Sequence, residues 1–216
     1  MLDRKRLRST MRKKRRSLSR RDQNLSAHRL LNQLCKLACF RHCKKIALYL
    51  ASDGEIDPDC TIKFLWQTGK RVFLPVLHPL GENRLYFAPF HPETRLVNNR
   101  YGILEPDIDS ARQVPAWSLD MVLLPLVAFD RSGGRLGMGS GYYDRTFQFV
   151  LKKNRQQPFN TNLIGLAHSF QEVEKIPVEN WDVPLRYIVT EKAHIKNITK
   201  LENDKNNIGC HNPDVQ

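Results

Sequence analysis

The stretch Asp130-Arg-Ser-Gly-Gly-Arg-Leu-Gly-Met-Gly-Ser-Gly-Tyr-Tyr-Asp-Arg145 gathers what phosphate chemistry needs, with five of the chain's eleven glycines in sixteen residues. Glycine allows positive φ and lets a ligand approach the backbone. Successive loop N–H groups can converge on an anion, and a following helix adds the positive end of its dipole. Arg135 and Arg145 supply fixed charge in the fork geometry suited to phosphate oxygens. Asp144, just beyond the loop, has two readings. It is a carboxylate for Mg²⁺ beside phosphates, or an acidic residue favoured at a helix N-terminus by under about 1 kcal/mol. The bland reading of the whole stretch is a surface turn, but a turn has no use for Arg135, Tyr142, Tyr143, Asp144 and Arg145 packed around it. The wording is not a P-loop, since no Lys follows a glycine in that register. Gly137, Gly139 and Gly141 also miss the dinucleotide fingerprint, because Tyr142 takes the place of its last glycine.

The elements around the loop read as strand, loop, helix. The apolar run Met121 to Phe129 enters it, and the amphipathic run Tyr142 to Lys152 leaves it. The Val and Leu content of 121–129 predicts a strand buried on both faces. Further back, 2–16 predicts a basic helix with a thin apolar edge, in which Leu7 and Met11 share a face, as do Arg4 and Arg8. Ser19 to Asp22 reads as a capping box, and apolar spacing continues a helix to about Phe40. Lys45 to Leu50 predicts a strand and 51–55 a turn. Asp57-Pro58 opens a helix that runs to Thr68, with Gly69 as its stop. Strands follow at 71–76 and 84–90, paired across Gly81, then a short one at 102–106 and later ones at 162–167 and 186–190. The polar tail from 191 is expected to be disordered or peripheral. The alternation predicts a single α/β domain, residues 1–190, with a mainly parallel sheet flanked by helices. Its ligand cleft should lie at the carboxyl ends of the strands, where the loops 51–56, 130–141 and 168–182 meet if they share one end.

Composition narrows the class. With 216 residues and 41% hydrophobic content the chain suits one globular domain. No apolar run approaches the roughly 20 residues of a membrane span. The basic N-terminus has no apolar stretch behind it, against a secretory signal; an Arg-rich presequence is the competing reading of that segment. The five cysteines include no Cys-x-x-Cys, so a reducing cytoplasm is expected rather than a disulfide framework. Cys35, Cys39 and Cys43 fall on one predicted helix face, where small apolar filling is favoured over a metal site with His42. Residues 1–21 carry eleven Arg or Lys against one Asp, so they hold most of the net charge of +13. A basic arm suits nucleic acid, a membrane surface or a phosphorylated ligand; it is also what a solvated, disordered run looks like. Glu55 is by spacing a loop carboxylate. Asp182, after Trp181 in a turn, looks by itself like a capping residue.

The chain resembles the 5-formyltetrahydrofolate cyclo-ligase family over residues 4–190. The likeness rests on Arg4-Lys-Arg-Leu-Arg8, on Leu50-Ala-Ser-Asp-Gly-Glu55, on Pro125 to Arg145 and on Pro177-Val-Glu-Asn-Trp-Asp182, in that order. The third segment is the specific one. The resemblance implies an ATP-dependent, Mg²⁺-requiring cyclisation of 5-formyltetrahydrofolate to 5,10-methenyltetrahydrofolate. It implies ATP contacts from Arg4, Lys5, Arg6, Leu7 and Arg8, and from Arg135, Leu136, Gly137, Met138, Gly139, Ser140, Gly141, Tyr142 and Tyr143. Leu50, Glu55 and Met138 to Tyr142 would contact the folate, Asp144 and Asp182 would hold the metal, and Arg135 and Tyr142 would be catalytic. The sequence departs from the family's pattern in two places: Arg4 stands where Lys is common, so Lys5 shares or replaces that contact, and in the loop Met138 and Ser140 replace basic residues of some relatives. The expected partners are small molecules, with no nucleic acid or membrane, and the expected state is a monomer. Two other classes compete. A nucleic-acid binder using the arm lacks interleaved aromatics and any known module. An α/β enzyme on a sugar phosphate or CoA thioester would need the same anion nest without ATP hydrolysis.

Overall fold

The computed structural model describes residues 3–78, 82–107, 112–151 and 161–197. Its centre is a seven-stranded sheet in the order β11-β10-β9-β6-β1-β2-β3. The five inner strands are parallel: β1 (Lys45–Ala47), β2 (Arg71–Leu77), β6 (Met121–Pro125), β9 (Asn162–Leu166) and β10 (Tyr187–Val189). Antiparallel strands β3 (Leu85–Pro89) and β11 (His194–Lys196) close the edges. Two small hairpins stand apart: β4 (Leu96–Asn98) with β5 (Leu104–Pro106), and β7 (Ala128–Phe129) with β8 (Arg135–Leu136). This is the expected α/β architecture.

Alternation along the inner strands feeds two cores. Ile46, Leu48, Val72, Leu74, Met121, Leu123 and Ile164 face one core, which Leu30, Leu34, Phe40, Ile62 and Leu65 cover from α2 (Arg20–Cys35), α3 (Ala38–His42) and α4 (Asp59–Gln67). Ala47, Phe73, Val122, Leu124, Leu163 and Ile188 face the other, which also holds Phe147 of α5 (Tyr142–Phe147), Phe129 and Val183. A parallel sheet covered on both faces needs such nearly continuous apolar strands.

The basic arm is helix α1 (Arg4–Arg16), opened by Asp3, whose carboxylate accepts from the N–H groups of Lys5 and Arg6. Several local expectations change. At α2, Ser19 Oγ accepts from Asp22 N–H, but the Asp22 carboxylate returns to that hydroxyl rather than to the backbone. The helix expected through residue 40 breaks at Lys36 and Leu37, so Cys35, Cys39 and Cys43 do not share one helix; all three still pack on the first core, and burial pushes the Cys43 thiol up to about 11. At α4, Pro58 is itself the cap, and Asp57 accepts from Asp59 N–H. The run 121–129 is not one strand. β6 ends at Pro125, and Val127 N–H bonds to Leu136 O, so the chain leaves the sheet to start the β7–β8 hairpin. α5 gives way after Phe147 to a 3₁₀ turn, Gln148–Leu151, and the rest of the expected helix, with Gly81 of the β2–β3 turn, lies outside the described residues. The tail expected from 191 also changes: 191–197 belong to the sheet through β11, because Ile195 contributes to the second core and Glu191 accepts from Ser169. Residues 198–216 lie outside the described residues.

The chain steps from β1 outward to β2 and β3, then returns to place β6 on the other side of β1. The carboxyl ends of β1 and β6 therefore flank the switch point, where open α/β sheets leave a crevice for ligands.

Candidate active site

A cleft of about 780 Å³ opens at that switch point. It is lined by Arg4 and Arg8 of α1, by Tyr49, Leu50, Ser52, Asp53 and Glu55 after β1, and by Pro125 to Val127 after β6. The glycine loop lines it from Arg135 to Arg145, Trp181 and Asp182 add to it, and the β4–β5 hairpin contributes Asn99, Tyr101, Ile103, Leu104 and Glu105. The three loops expected to meet do meet, although the third contributes only its last two residues.

The turn before the glycine loop is built on Asp130. Its side chain is fully buried, and it accepts from Ser132 N–H and Oγ–H, Gly134 N–H and Ile176 N–H at 2.7–2.9 Å. Burial alone would raise its pKa, but these bonds outweigh it and hold the carboxyl below the usual range. This carboxylate braces the loop rather than facing the cleft. Gly141 opens α5 at φ 70°, a left-handed conformation that favours glycine.

Arg135 is nearly buried between two acids. It donates to Asp144 Oδ1 and to Val183 O, and Val183 N–H also donates to Asp144 Oδ1. Burial lowers the Arg135 pKa, against the charges of Asp144 and Asp182. Asp182 accepts from Glu179 N–H. Asp144 and Asp182 thus sit in one cleft on either account of their function. Among the described residues no three His, Cys, Asp or Glu side chains converge as a metal site. An Mg²⁺ ion here would have these two carboxylates, with remaining oxygens from ligand or water. That donor set fits Mg²⁺ bound together with phosphates.

Helix α1 docks on both neighbouring loops. Arg4 donates to Pro177 O at 2.8 Å, and Arg8 Nε to Gly137 O at 2.9 Å. Arg12 and Arg16 pair with Asp53, as does Arg15. Five of the arm's arginines are thereby committed to intrachain contacts. Lys5, Arg6 and Leu7 do not line the cleft. The helical turn carries them off the Arg4–Arg8 face: Lys5 and Arg6 are exposed, and Leu7 packs with Met11 on Val127, Leu136 and Ile176.

Glu55 is 11% exposed. Ser52 N–H donates to its Oε2 at 3.1 Å, and Arg15 Nη1 stands 3.9 Å from Oε1. Burial raises its pKa, and the Ser52 bond and the Arg15 charge oppose that. Tyr49 and Tyr143 flank it. Burial, reinforced by the charge on Glu55, raises both phenols, and Tyr49 donates to Ile56 O at 2.7 Å. Tyr142 is set differently. Arg100 donates to its oxygen at 2.7 Å, and the phenols of Tyr101 and Tyr142 share a hydrogen bond of 2.9 Å. Burial tends to raise the Tyr142 pKa, but the bonds to Tyr101 and Arg100 bring it below the ordinary value. These contacts tie the β4–β5 hairpin to the end of the glycine loop.

Sequence reasoning missed Asp53, Arg12, Arg15 and Arg16, and also Tyr49, Arg100, Tyr101 and Trp181. One signal was available: Arg4, Arg8, Met11 and Arg15 are spaced 4, 3 and 4, a single helical face. Asp53 and the hairpin reach the site through contacts of long sequence separation that no local pattern encodes.

A sequence model of the 5-formyltetrahydrofolate cyclo-ligase family matches residues 1–191. The chain is 48% identical over 145 residues to the 5-formyltetrahydrofolate cyclo-ligase of Escherichia coli (strain K12), covering 67% of this chain and 76% of that one. It is 40% identical over 182 residues to the enzyme of that name from Haemophilus influenzae, covering 84% and 94%. Its fold is similar to the solved 5,10-methenyltetrahydrofolate synthetase of Aquifex aeolicus, with a TM-score of 0.74 and 31% identity over 90% of this chain and 93% of that one. With a family match that takes in every strand of the sheet except β11, the glycine loop and the cleft, this chain belongs to the 5-formyltetrahydrofolate cyclo-ligase family.

Proposed function

We propose that the cleft binds ATP and 5-formyltetrahydrofolate together and forms 5,10-methenyltetrahydrofolate, releasing ADP and phosphate. The observation that carries this reading is that one cleft joins four arginines and a glycine loop to a nearly buried carboxylate among apolar and aromatic side chains. The first set suits a triphosphate and the second a flat, hydrogen-bonding ring system.

A formamide carbonyl is a poor electrophile and its oxygen a poor leaving group. Transfer of the γ-phosphoryl group to that oxygen makes it a phosphate ester. N10 then attacks the carbon, the C–O bond breaks, phosphate leaves with the oxygen, and N10 loses its proton to solvent. The protein's part is positioning and charge neutralisation. Arg4 and Arg8, with the loop 135–143, contact ATP; Arg135 and Tyr142 act on the reacting oxygens. Glu55 accepts from the N–H edge of the pterin, with Leu50 and Met138 to Tyr142 against the ring system. Asp144 and Asp182 would hold Mg²⁺, which would neutralise charge on the phosphate oxygens.

The test is an absorbance assay with 5-formyltetrahydrofolate, ATP and Mg²⁺, following the near-ultraviolet band of the methenyl product and omitting ATP or Mg²⁺ in turn. Product that needs all three components is expected. Folded protein that gives no product would remove the folate and leave the phosphate loop to another phosphorylated ligand.

A further inference from the structure

Arg15 lies on the Arg4–Arg8–Met11 face of α1 but is sunk into the protein, with 1% of its side chain exposed. Its Nη2 donates to Asp53 Oδ2 at 2.8 Å, and its Nη1 to Leu126 O at 3.3 Å. Its Nε is buried and has no hydrogen-bond partner among the described residues. One guanidinium therefore touches the loop after β1 and the chain just after β6, the two sides of the switch point. Asp53 stands at φ 50°, unusual for a residue other than glycine. Arg12 Nε at 2.6 Å and Arg16 Nε at 2.7 Å join Arg15 in holding its carboxylate. Gly54 presses on the helix so closely that a Cβ there would fall 2.6 Å from Arg15 C.

We propose that Arg15, seated on Asp53, is a positioning residue for the folate half of the reaction: it fixes the 51–55 loop so that Glu55 presents its carboxylate to the cleft. The inference rests on the proposed function for its substrate, but its geometry is independent of that reading. Glu55 is gripped from two sides. Ser52 bonds Oε2, while Arg15 faces Oε1 from 3.9 Å, too far for a hydrogen bond and close enough for its charge to be felt. Because α1 also carries Arg4 and Arg8, the same helix sets the register between the loop that bears Glu55 and the loop that bears the glycines. A surface ion pair would do little of this, whereas Arg15 is buried, so its charge is left uncompensated if Asp53 is removed.

The groups that bear on Glu55 are Arg15 and Arg12 from α1, Asp53 from its own loop, Tyr49 after β1 and Tyr143 from α5. The test compares Arg15→Met, Arg15→Lys and Asp53→Asn with the wild type, varying each substrate in turn and measuring amide exchange across 51–56 without ligand. Arg15→Met should raise the KM for 5-formyltetrahydrofolate about tenfold or more and leave the KM for ATP within about twofold. It should move the acidic limb of kcat/KM for the folate to higher pH, because Glu55 becomes harder to ionise. Arg15→Lys should return that limb towards wild type, while the folate KM stays raised because an ammonium lacks the fork that reaches both Asp53 and Leu126. Exchange across 51–56 should quicken in Arg15→Met and in Asp53→Asn, and the latter serves if the former does not fold. Equal changes in both KM values, or unchanged exchange across 51–56 in a folded variant, overturns the proposal. If the wild type makes no product, the functional reading fails, and the exchange measurement alone decides whether Arg15 holds the loop.

Discussion

At the scale of single residues, Glu55 and Asp130 are two carboxylates with opposite energetics. Asp130 is buried with four donors on it, so its folded-state pKa lies below its unfolded value. Its stabilisation is present above the unfolded pKa of about 3.9 and is lost as pH falls through the folded one. Asp130→Asn should cost about 2–3 kcal/mol at neutral pH, from bonds to a charged acceptor, and urea titrations should show the gap from wild type closing as pH is lowered. Glu55 is the reverse. Burial raises its pKa, so the folded protein holds that proton more tightly than the unfolded chain. Its cost is fully present above the folded pKa and disappears as pH falls below the unfolded one. Glu55→Gln should therefore leave the melting temperature at neutral pH unchanged or higher. The same variant should raise the KM for 5-formyltetrahydrofolate about tenfold while leaving the KM for ATP within about twofold, as loss of one charge-assisted bond requires. Equal effects on both substrates in steady-state kinetics would remove Glu55 from the folate contact.

At the scale of elements, α1 and the 51–55 loop behave as one piece. The helix buries only Met11 and Arg15, so its propensity and Asp3 cap are supplemented mainly by the contacts its arginines make with neighbouring loops. Gly54 is where the two elements touch. Its φ of 71° is left-handed, and the Arg15 carbonyl carbon fills the space a side chain would need. Gly54→Ala therefore meets both strain and a backbone clash, and it should destabilise the protein by about 2 kcal/mol or more in urea titration. It should also weaken the folate more than ATP if the loop must stay docked. The β4–β5 hairpin is a second contributor to the cleft's rim, tied back through Arg100, Tyr101 and Tyr142 and through Glu105, which accepts from Leu77 N–H.

At the scale of the whole molecule, the sheet's edges matter as much as its centre. β11 covers the open edge of β10, and Glu191 holds the turn after β9 through Ser169 N–H. Gly133 approaches Asn197 so closely that a Cβ there would overlap its side chain. The residues past 190 thus brace the turn that launches the glycine loop. A chain ending at Thr190 should melt about 2–8 °C below the full chain by calorimetry, as loss of about 1–2 kcal/mol would produce in a domain of this size. An unchanged melting temperature would make β11 dispensable. Among the described residues no helix is long and apolar enough to cross a membrane.

The sequence by itself determined the fold class and the family. Buried parallel strands need continuous apolar runs, and a tight loop that turns through positive φ needs glycines; both are local requirements that leave local marks, at Met121 to Pro125 and at Gly133 to Gly141. The breaks in those runs were less legible. Pro125 ends β6 because Val127 finds its hydrogen-bond partner in Leu136, and the helix through Cys35 stops there because the chain turns at Lys36 and Leu37 into α3. Only the tertiary structure decided which basic residues meet the cleft. Helical phase already separates Arg4 and Arg8 from Lys5 and Arg6 in the sequence, and docking on Gly137 is what turns that face to the cleft. It also decided that Asp53, 38 residues from Arg15, closes a part-buried ion pair behind Glu55. A charge pair across such a separation forms only once the sheet has brought the ends of β1 and β6 together, and no local pattern records it.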